Sequence, residues 1–421
     1  MNVLLLGSGG REHALAVKIA QSSCLGKLFT APGNPGTAEC GQNIPLNISD
    51  FEAIGNFIEE NSIEMLVVGP EDPLVNGIAD YFADRPVSVI GPSKDGAMLE
   101  GSKDFAKDFM TRHGIPTALY KSFDKSQLQQ GYDFLEKLAP PFVLKADGLA
   151  AGKGVIIVDS LSEAKASLKE MLDGKFGAAS SRVVIEEFLR GIEVSVFVLT
   201  DGKSYKILPE AKDYKRIGEN DRGLNTGGMG AVSPVCFADR AFIDRFEKKI
   251  VEPTIRGLQK DGIYYKGFIF FGLMNCGGEP YLIEYNVRMG DPETEAVMPR
   301  LNGDILDLFD GVAKGTLDTK QCSICPETAV TVVLVSGGYP EEYRKGIEIE
   351  GISSIKGNKV YHAGTSENGG KLLTSGGRVL TVTALSGNLQ SALDSVYDSV
   401  RKISFDGCYY RRDIGKDLLN Y

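Results

Sequence analysis

The sequence predicts a multidomain α/β (α+β) chain: an N-terminal parallel-sheet domain, a mostly antiparallel second domain and a small C-terminal α+β domain. Three observations predict it. The length, 421 residues, corresponds to about three domains at ~150 residues each. Over the first hundred residues short apolar strands alternate with amphipathic helices, the pattern of a parallel sheet with ligand loops at the strand C-termini. From about Phe142 strands follow one another across turns, which is an antiparallel pattern.

The elements are expected in this order. Asn2–Leu6 and Lys27–Thr30 read as strands around a helix at Glu12–Ser22. Asp50–Glu60 reads as a helix, with Phe51, Ile54, Phe57 and Ile58 on one face and Asp50 as its N-cap. Met65–Val68 and Val87–Ile90 are short buried strands, and Ser102–His113 is a helix ending in the Gly114-Ile-Pro116 turn. Phe142–Lys145, Val155–Asp159, Val183–Glu187, Glu193–Leu199 and Lys206–Pro209 are strands, with a helix at about Ser162–Leu172. Lys266–Asn275 and Glu279–Tyr285 form a hairpin through Cys276-Gly-Gly278. A helix at 304–314, a strand at Ala329–Val335 and a helix near 388–402 follow, then a basic Arg411-Arg412. The expected divisions are 1–103, 104–326 with a lid at about 122–192, and 327–421.

Composition narrows the function. The net charge of −10 and the pI near 5.1 argue against nucleic acid or an anionic membrane as partner. No apolar run is long enough to span a bilayer, and no basic flank precedes Met1–Leu6, so neither a membrane anchor nor a signal peptide is expected. Seven scattered cysteines read as reduced thiols, and the Cys322–Cys325 pair has no second CxxC beside it. A cytoplasmic monomer is expected. Glycine is the outlier, 50 of 421 residues, against a usual ~7%. The glycines avoid long Gly/Ser tracts and gather in loops, where backbone can approach a ligand.

Five motifs carry chemistry. Gly7-Ser-Gly-Gly-Arg-Glu12 resembles GxGxxG, but Glu12 replaces the third glycine and no acid follows the second strand. A nicotinamide cofactor is therefore disfavoured, although the loop still offers amides at a helix N-terminus to a phosphate. Lys145-Ala-Asp-Gly148-Leu-Ala-Ala-Gly152-Lys153-Gly154 is one residue short of a P-loop and runs strand to strand, so it reads as a flap over phosphates. Glu186-Glu187-Phe188-Leu189 leads into Glu193, a connection whose backbone can pair with a base edge while Glu193 meets ribose hydroxyls. Asn225-Thr-Gly-Gly-Met-Gly230 suits a nest of amides around a small carboxylate. Glu284 and Asn286 share a strand face, a donor pair that fits Mg²⁺ bound mainly by phosphates. Arg288 follows on the same face, and Gly290-Asp-Pro-Glu293 is an acidic turn suited to a polyhydroxyl or amine ligand.

This ordered set, with Gly69-Pro-Glu-Asp72 and Tyr410-Arg-Arg-Asp-Ile414, resembles the ATP-grasp superfamily and, within it, the glycinamide ribonucleotide synthetases. The resemblance spans nearly the whole chain. It implies an N-terminal Rossmann-like domain, a central ATP-grasp domain with a flap, and ATP-driven joining of glycine to 5-phosphoribosylamine through glycyl phosphate. Another ATP-grasp carboxylate–amine ligase or carboxylase of nucleotide metabolism is the alternative. A nucleotide-binding regulatory module is disfavoured, since a sensor need not keep Glu284, Asn286 and Arg288 together. By the resemblance, Lys103, Lys145 and the flap residues Gly148, Gly152, Lys153 and Gly154 would hold ATP phosphates. Glu186, Glu187, Phe188 and Leu189 would line the base, and Glu193 the ribose. Glu284 and Asn286 would ligate Mg²⁺ or Mn²⁺. Arg288, Lys145 and Asp213 would be catalytic. Glycine would meet Asp213, Thr226, Gly227 and Gly228. Phosphoribosylamine would meet Gly10, Arg11, Glu12, Pro35, Gly36, Asp291, Pro292 and Glu293. Two departures stand out: Met289 occupies a position where the family has Phe, and Phe268–Asn275 lacks the acidic metal ligand many ATP-grasp enzymes carry.

Overall fold

The structure is a computed structural model that describes residues 1–149 and 154–421. Gly152 and Lys153 of the expected flap therefore lie outside the described residues. The first sheet contains β1 (Asn2–Gly7), β2 (Lys27–Pro32), β3 (Gln42–Asn43), β4 (Met65–Val68) and β5 (Ser88–Ile90), in the order β3-β2-β1-β4-β5. All pairings are parallel. β1 and β4 are covered on both faces, which is why they read as unbroken runs of Val, Leu and Met. The first helix starts at Gly10, two residues earlier than expected, because the Glu12 side chain turns back to accept the amide of Gly9. Asp50 caps the helix Phe51–Glu60 by accepting from the Ala53 amide, as expected.

The second region builds two antiparallel sheets. One contains β6 (Tyr120–Asp124), β7 (Phe142–Ala146), β8 (Val155–Val158) and β9 (Arg182–Glu187), in the order β6-β9-β7-β8. The other contains β10 (Ile192–Thr200), β11 (Tyr205–Ile207), and a long hairpin discussed below. The Phe188–Gly191 connection thus carries the chain from one sheet into the other. Three pairs of short strands were not anticipated: β12 (Lys212–Asp213) with β15 (Gly230–Ser233), β13 (Arg216–Gly218) with β14 (Arg222–Asn225), and β18 (Leu301–Asn302) with β19 (Ser323–Ile324). Runs of two to four residues are too short for a periodic signal. The hairpin β16 (Gly267–Cys276) and β17 (Glu279–Asn286) turns at Gly277-Gly278, so the second sheet is ordered β11-β10-β16-β17.

The C-terminal strands are β20 (Thr328–Val335), β21 (Lys359–His362), the hairpin β22 (Thr365–Asn368) and β23 (Lys371–Thr374), and β24 (Arg378–Ser386). β20, β21 and β24 join β12 and β15 in one sheet ordered β12-β15-β20-β24-β21, while β22 and β23 pair with each other as a separate ribbon. Helix Leu389–Val400 covers it through Leu393, Val396 and Val400. β15 pairs with β20 residue by residue, Gly230 opposite Val332 and Ser233 opposite Ala329. The loop before β15 is therefore suspended between the central and C-terminal strands. Among the described residues, no helix is long and apolar enough to cross a membrane.

Candidate active site

The nucleotide side is built on β7, β9 and helix Lys103–Arg112. Lys145 ends an apolar strand and points inward, 5% exposed. Its Nζ meets Glu186 Oε2 at 3.0 Å, and Lys107 Nζ meets the same oxygen at 3.1 Å. Burial alone would raise the Glu186 carboxyl, but Lys145 and Lys107 outweigh it and hold it below its usual value. Burial pulls Lys107 down to about 8, with Lys145 adding to the effect and Glu186 opposing it. Lys107 was missed in the sequence, because a lysine within a Lys/Asp-rich helix reads as a solvated face. Glu186 Oε1 has no hydrogen-bond partner among the described residues. Glu186 thus anchors two ammonium groups through one oxygen.

Lys103 lies at the start of the same helix, its Nζ 3.4 Å from the Gly148 carbonyl. Burial lowers its pKa, while Glu284 opposes that shift, so the sequence-distant Lys103 and Glu284 act on each other. Glu187 corrects one expectation. Its amide donates to the Leu119 carbonyl at 2.9 Å and its carboxylate accepts from the Leu119 amide, so that amide is already spent. Phe188 and Leu189 lie past the end of β9, in the connection between the two sheets. Glu193 is exposed and ion-paired to Lys215 at 2.8 Å.

Acidic groups gather around the β17 end. Glu284 and Asn286 are half-buried, and the Asn286 amide nitrogen has no partner among the described residues. Arg288 follows β17; its guanidinium pairs with Glu100 at 2.7 Å and Glu71 at 3.2 Å. Glu100 also accepts from the Val287 amide. These two glutamates orient Arg288; Glu71 stood in the Gly69-Pro-Glu-Asp72 motif with no role assigned, and Glu100, a lone acid in its helix, was missed in the sequence. Asp213 is nearly buried, and burial pushes its carboxyl up while Lys215 opposes. Glu293 accepts from Ser195 Oγ at 3.2 Å, and burial, with Asp213 next, raises it to about 7.

The N-terminal side forms a cavity of about 390 Å³ whose wall includes Ser8, Gly9, Arg11, Glu12 and Asp291. Arg11 pairs with Glu12 at 2.6 Å and donates to the Met289 carbonyl. The Glu12 side chain fills the space over Gly7 and Gly69, where a Cβ would overlap it. Gly10 and Gly36 do not line this cavity. Gly10 is packed against the Glu295 carboxyl and Gly36 against the His13 ring, while Pro35 opens the helix that Asn34 caps. Both oxygens of Glu295 are buried without a partner among the described residues.

The Asn225–Gly230 loop corrects a second expectation. Its amides are not a vacant nest: Thr226 N donates to the Lys215 carbonyl, Gly227 N to Tyr339 Oη, Gly228 N to Thr226 Oγ1 and Met229 N to the Tyr214 carbonyl. Arg378, on β24, donates to the Gly227 and Asp291 carbonyls and pairs with Asp291 Oδ1 at 3.0 Å. Neither Arg378 nor Tyr339 carried a motif; only the pairing of β20 with β15 brings them here.

Comparison with known proteins matches this arrangement along the whole chain. Profiles of the N domain, the ATP-grasp (A) domain and the C domain of phosphoribosylglycinamide synthetase match residues 1–100, 101–294 and 329–417. This chain belongs to the phosphoribosylglycinamide synthetase family. Among its relatives, the phosphoribosylamine–glycine ligase of Pasteurella multocida is 46% identical over 420 residues, covering 99% of this chain and 97% of the relative. That of Rhizobium meliloti is 47% identical over 416 residues, covering 99% and 98%. The crystal structure of the Thermotoga maritima ligase superposes with a TM-score of 0.86 at 36% identity, covering 98% of this chain and 100% of that one. The biotin carboxylase domain of Hydrogenobacter thermophilus 2-oxoglutarate carboxylase reaches a TM-score of 0.71 at 16% identity, over 97% and 91% of the two chains. That likeness is one of fold. Within the synthetase family, the charged groups just described are the natural candidates for its chemistry.

Proposed function

We infer that this chain is a phosphoribosylamine–glycine ligase, joining glycine to 5-phosphoribosylamine with ATP in purine biosynthesis. The observation that carries this is the match of all three synthetase domains in order, with a relative 46% identical over 99% of this chain. ATP phosphorylates the glycine carboxylate to glycyl phosphate, releasing ADP. The amine of phosphoribosylamine then attacks the acyl carbon, expels phosphate and loses a proton. No side-chain nucleophile is needed, so positioning and charge stabilisation carry the reaction.

The roles assigned in this reading are these. Lys145 and Lys103 meet the ATP phosphates, with Lys107 behind them sharing the Glu186 counter-charge. Gly148 and Gly154 belong to the flap above them. The Phe188–Leu189 connection meets the base, and Glu193 the ribose. Arg288, already oriented by Glu71 and Glu100, stabilises the transferring phosphoryl group. Asp213 holds glycine, and the 226–228 turn, whose amides are already engaged, shapes the site around it. The cavity beside Arg11, Glu12 and the Asp291–Glu293 turn has the size for a phosphorylated aminosugar. Pro35, Gly36 and Gly10 support that cavity from behind.

The enzyme uses ATP with Mg²⁺ or Mn²⁺. No group of three or more His, Cys, Asp or Glu side chains among the described residues could hold a metal. Glu284 and Asn286 fit an ion that takes its remaining ligands from phosphates and water, and the unpartnered Asn286 amide nitrogen can donate to a phosphate oxygen. Such an ion supplies charge neutralisation on the phosphates. We place the enzyme in the cytoplasm, where free thiols such as its seven cysteines persist, and read it as a monomer.

The test is substrate dependence. Purified protein should release phosphate from ATP only when glycine and phosphoribosylamine are both supplied. Release with bicarbonate and none with glycine would identify the carboxylase alternative instead.

A further inference from the structure

Two turns proposed for different substrates touch through one side chain. Arg378 Nη1 donates to the Gly227 carbonyl at 2.6 Å and to the Asp291 carbonyl at 2.8 Å, and lies 3.0 Å from Asp291 Oδ1. On the other side of the same residue, the Gly227 amide donates to Tyr339 Oη at 3.1 Å. Both backbone groups of Gly227 are thus held by the C-terminal region. The fit is close: a Cβ on Gly227 would stand 2.9 Å from Arg378 Cζ, and one on Gly228 would overlap Pro292.

We propose that Arg378 is a positioning residue that couples the amino-acid site to the amine site, with Tyr339 as its accessory. This rests on the reading of residues 226–228 as the glycine turn and 291–293 as the phosphoribosylamine turn. The acyl phosphate forms beside the first turn, and its attacker is held by the second. Their separation sets the distance between acyl carbon and amine, and a misplacement of about 1 Å there costs on the order of 10²-fold in rate. A guanidinium suits the task because its planar fork holds two acceptors in fixed directions, which an ammonium does not. Three acceptors of two separate turns converge on Arg378, and the C-terminal strands thereby act on a reaction none of their residues performs.

The experiment compares Arg378→Met, Arg378→Lys and Tyr339→Phe in the full-length enzyme. Hydrogen exchange is followed at Gly227 to Met229, with steady-state constants for glycine and phosphoribosylamine and equilibrium ADP affinity. Arg378→Met should speed exchange at these amides and cut kcat/KM for both substrates by about 10²-fold. ADP affinity should stay within about twofold, since the lysines that meet phosphate are untouched. Arg378→Lys should recover part of the loss. Tyr339→Phe should show a smaller effect of the same sign, and it carries the test alone if Arg378→Met fails to fold. Unchanged exchange at Gly227 overturns the proposal directly, as does a change confined to one substrate. Faster exchange with both substrate constants unchanged overturns it through the site reading beneath it. Asp213→Asn separates these cases, because its glycine KM rises only if that reading holds.

Discussion

Glu186 is the residue on which the nucleotide side depends, because two buried ammonium groups share one of its oxygens. Breaking a buried ion pair by removing one partner costs about 3–5 kcal/mol. Glu186→Gln should therefore lower stability by about 3 kcal/mol in urea melts, and weaken ATP binding together with it. Glu284 differs, since it is half-buried and its carboxylate makes no hydrogen bond or ion pair among the described residues. Glu284→Ala should keep its melting temperature while turnover falls by about 10²-fold or more. Lys145 was legible because a charge at the end of an apolar strand must find a partner. Lys107 was not, because nothing in its own helix distinguishes it from Lys103. Glu293 sets a pH dependence. Burial and Asp213 raise its carboxyl from 4.5 to about 7, so the folded chain keeps this proton after the unfolded chain has lost it. Its contribution to stability is full below about pH 4.5 and falls as pH rises through about 7. Denaturant melts of Glu293→Gln between those limits should show a flatter pH profile than the parent.

At the scale of elements, the loops after β1 and β4 act as one unit. Glu12 closes the start of the first helix by accepting the Gly9 amide, and its side chain occupies the space left open by Gly69. Gly69→Ala should displace Glu12, cost about 1–3 kcal/mol by overpacking, and raise the KM for phosphoribosylamine more than that for ATP. The main helices and strands of the first domain were legible because alternating apolar runs and helical periods repeat there over enough residues to be read. β12, β13, β14 and β15 were not, because strands of two to four residues have no period. The amides of the 226–228 turn show the same limit. A run of glycines announces exposed backbone, but Tyr214, Lys215 and Tyr339 satisfy those amides, and only the fold brings them there.

At the scale of the molecule, the sheet β12-β15-β20-β24-β21 joins the 226–228 turn to the C-terminal strands. Arg411, 1% exposed, adds a second tie by pairing with Asp221 and Asp413 and donating to the Arg216 carbonyl. Removing residues 327–421 would strip β15 of its β20 partner and expose an apolar edge. The truncated chain should be insoluble or inactive, as soluble yield and phosphate release would show, even though Lys145, Glu284 and Arg288 all remain.

The sequence by itself determined the fold class and the glycine-rich loops, and it named most of the charged groups proposed to meet ATP. These depend on local order: periodicity sets helix or strand, and glycine clusters mark where backbone meets a ligand. Tertiary structure alone decided how the charges are partnered. Lys107 with Glu186, Arg288 with Glu71 and Glu100, and Arg378 with Gly227 and Asp291 join residues far apart in the chain, up to 217 positions. A charge placed beside apolar neighbours shows that a partner must exist, because burying it alone is costly. Which partner answers is settled by which strands pair, and that is a property of the whole chain.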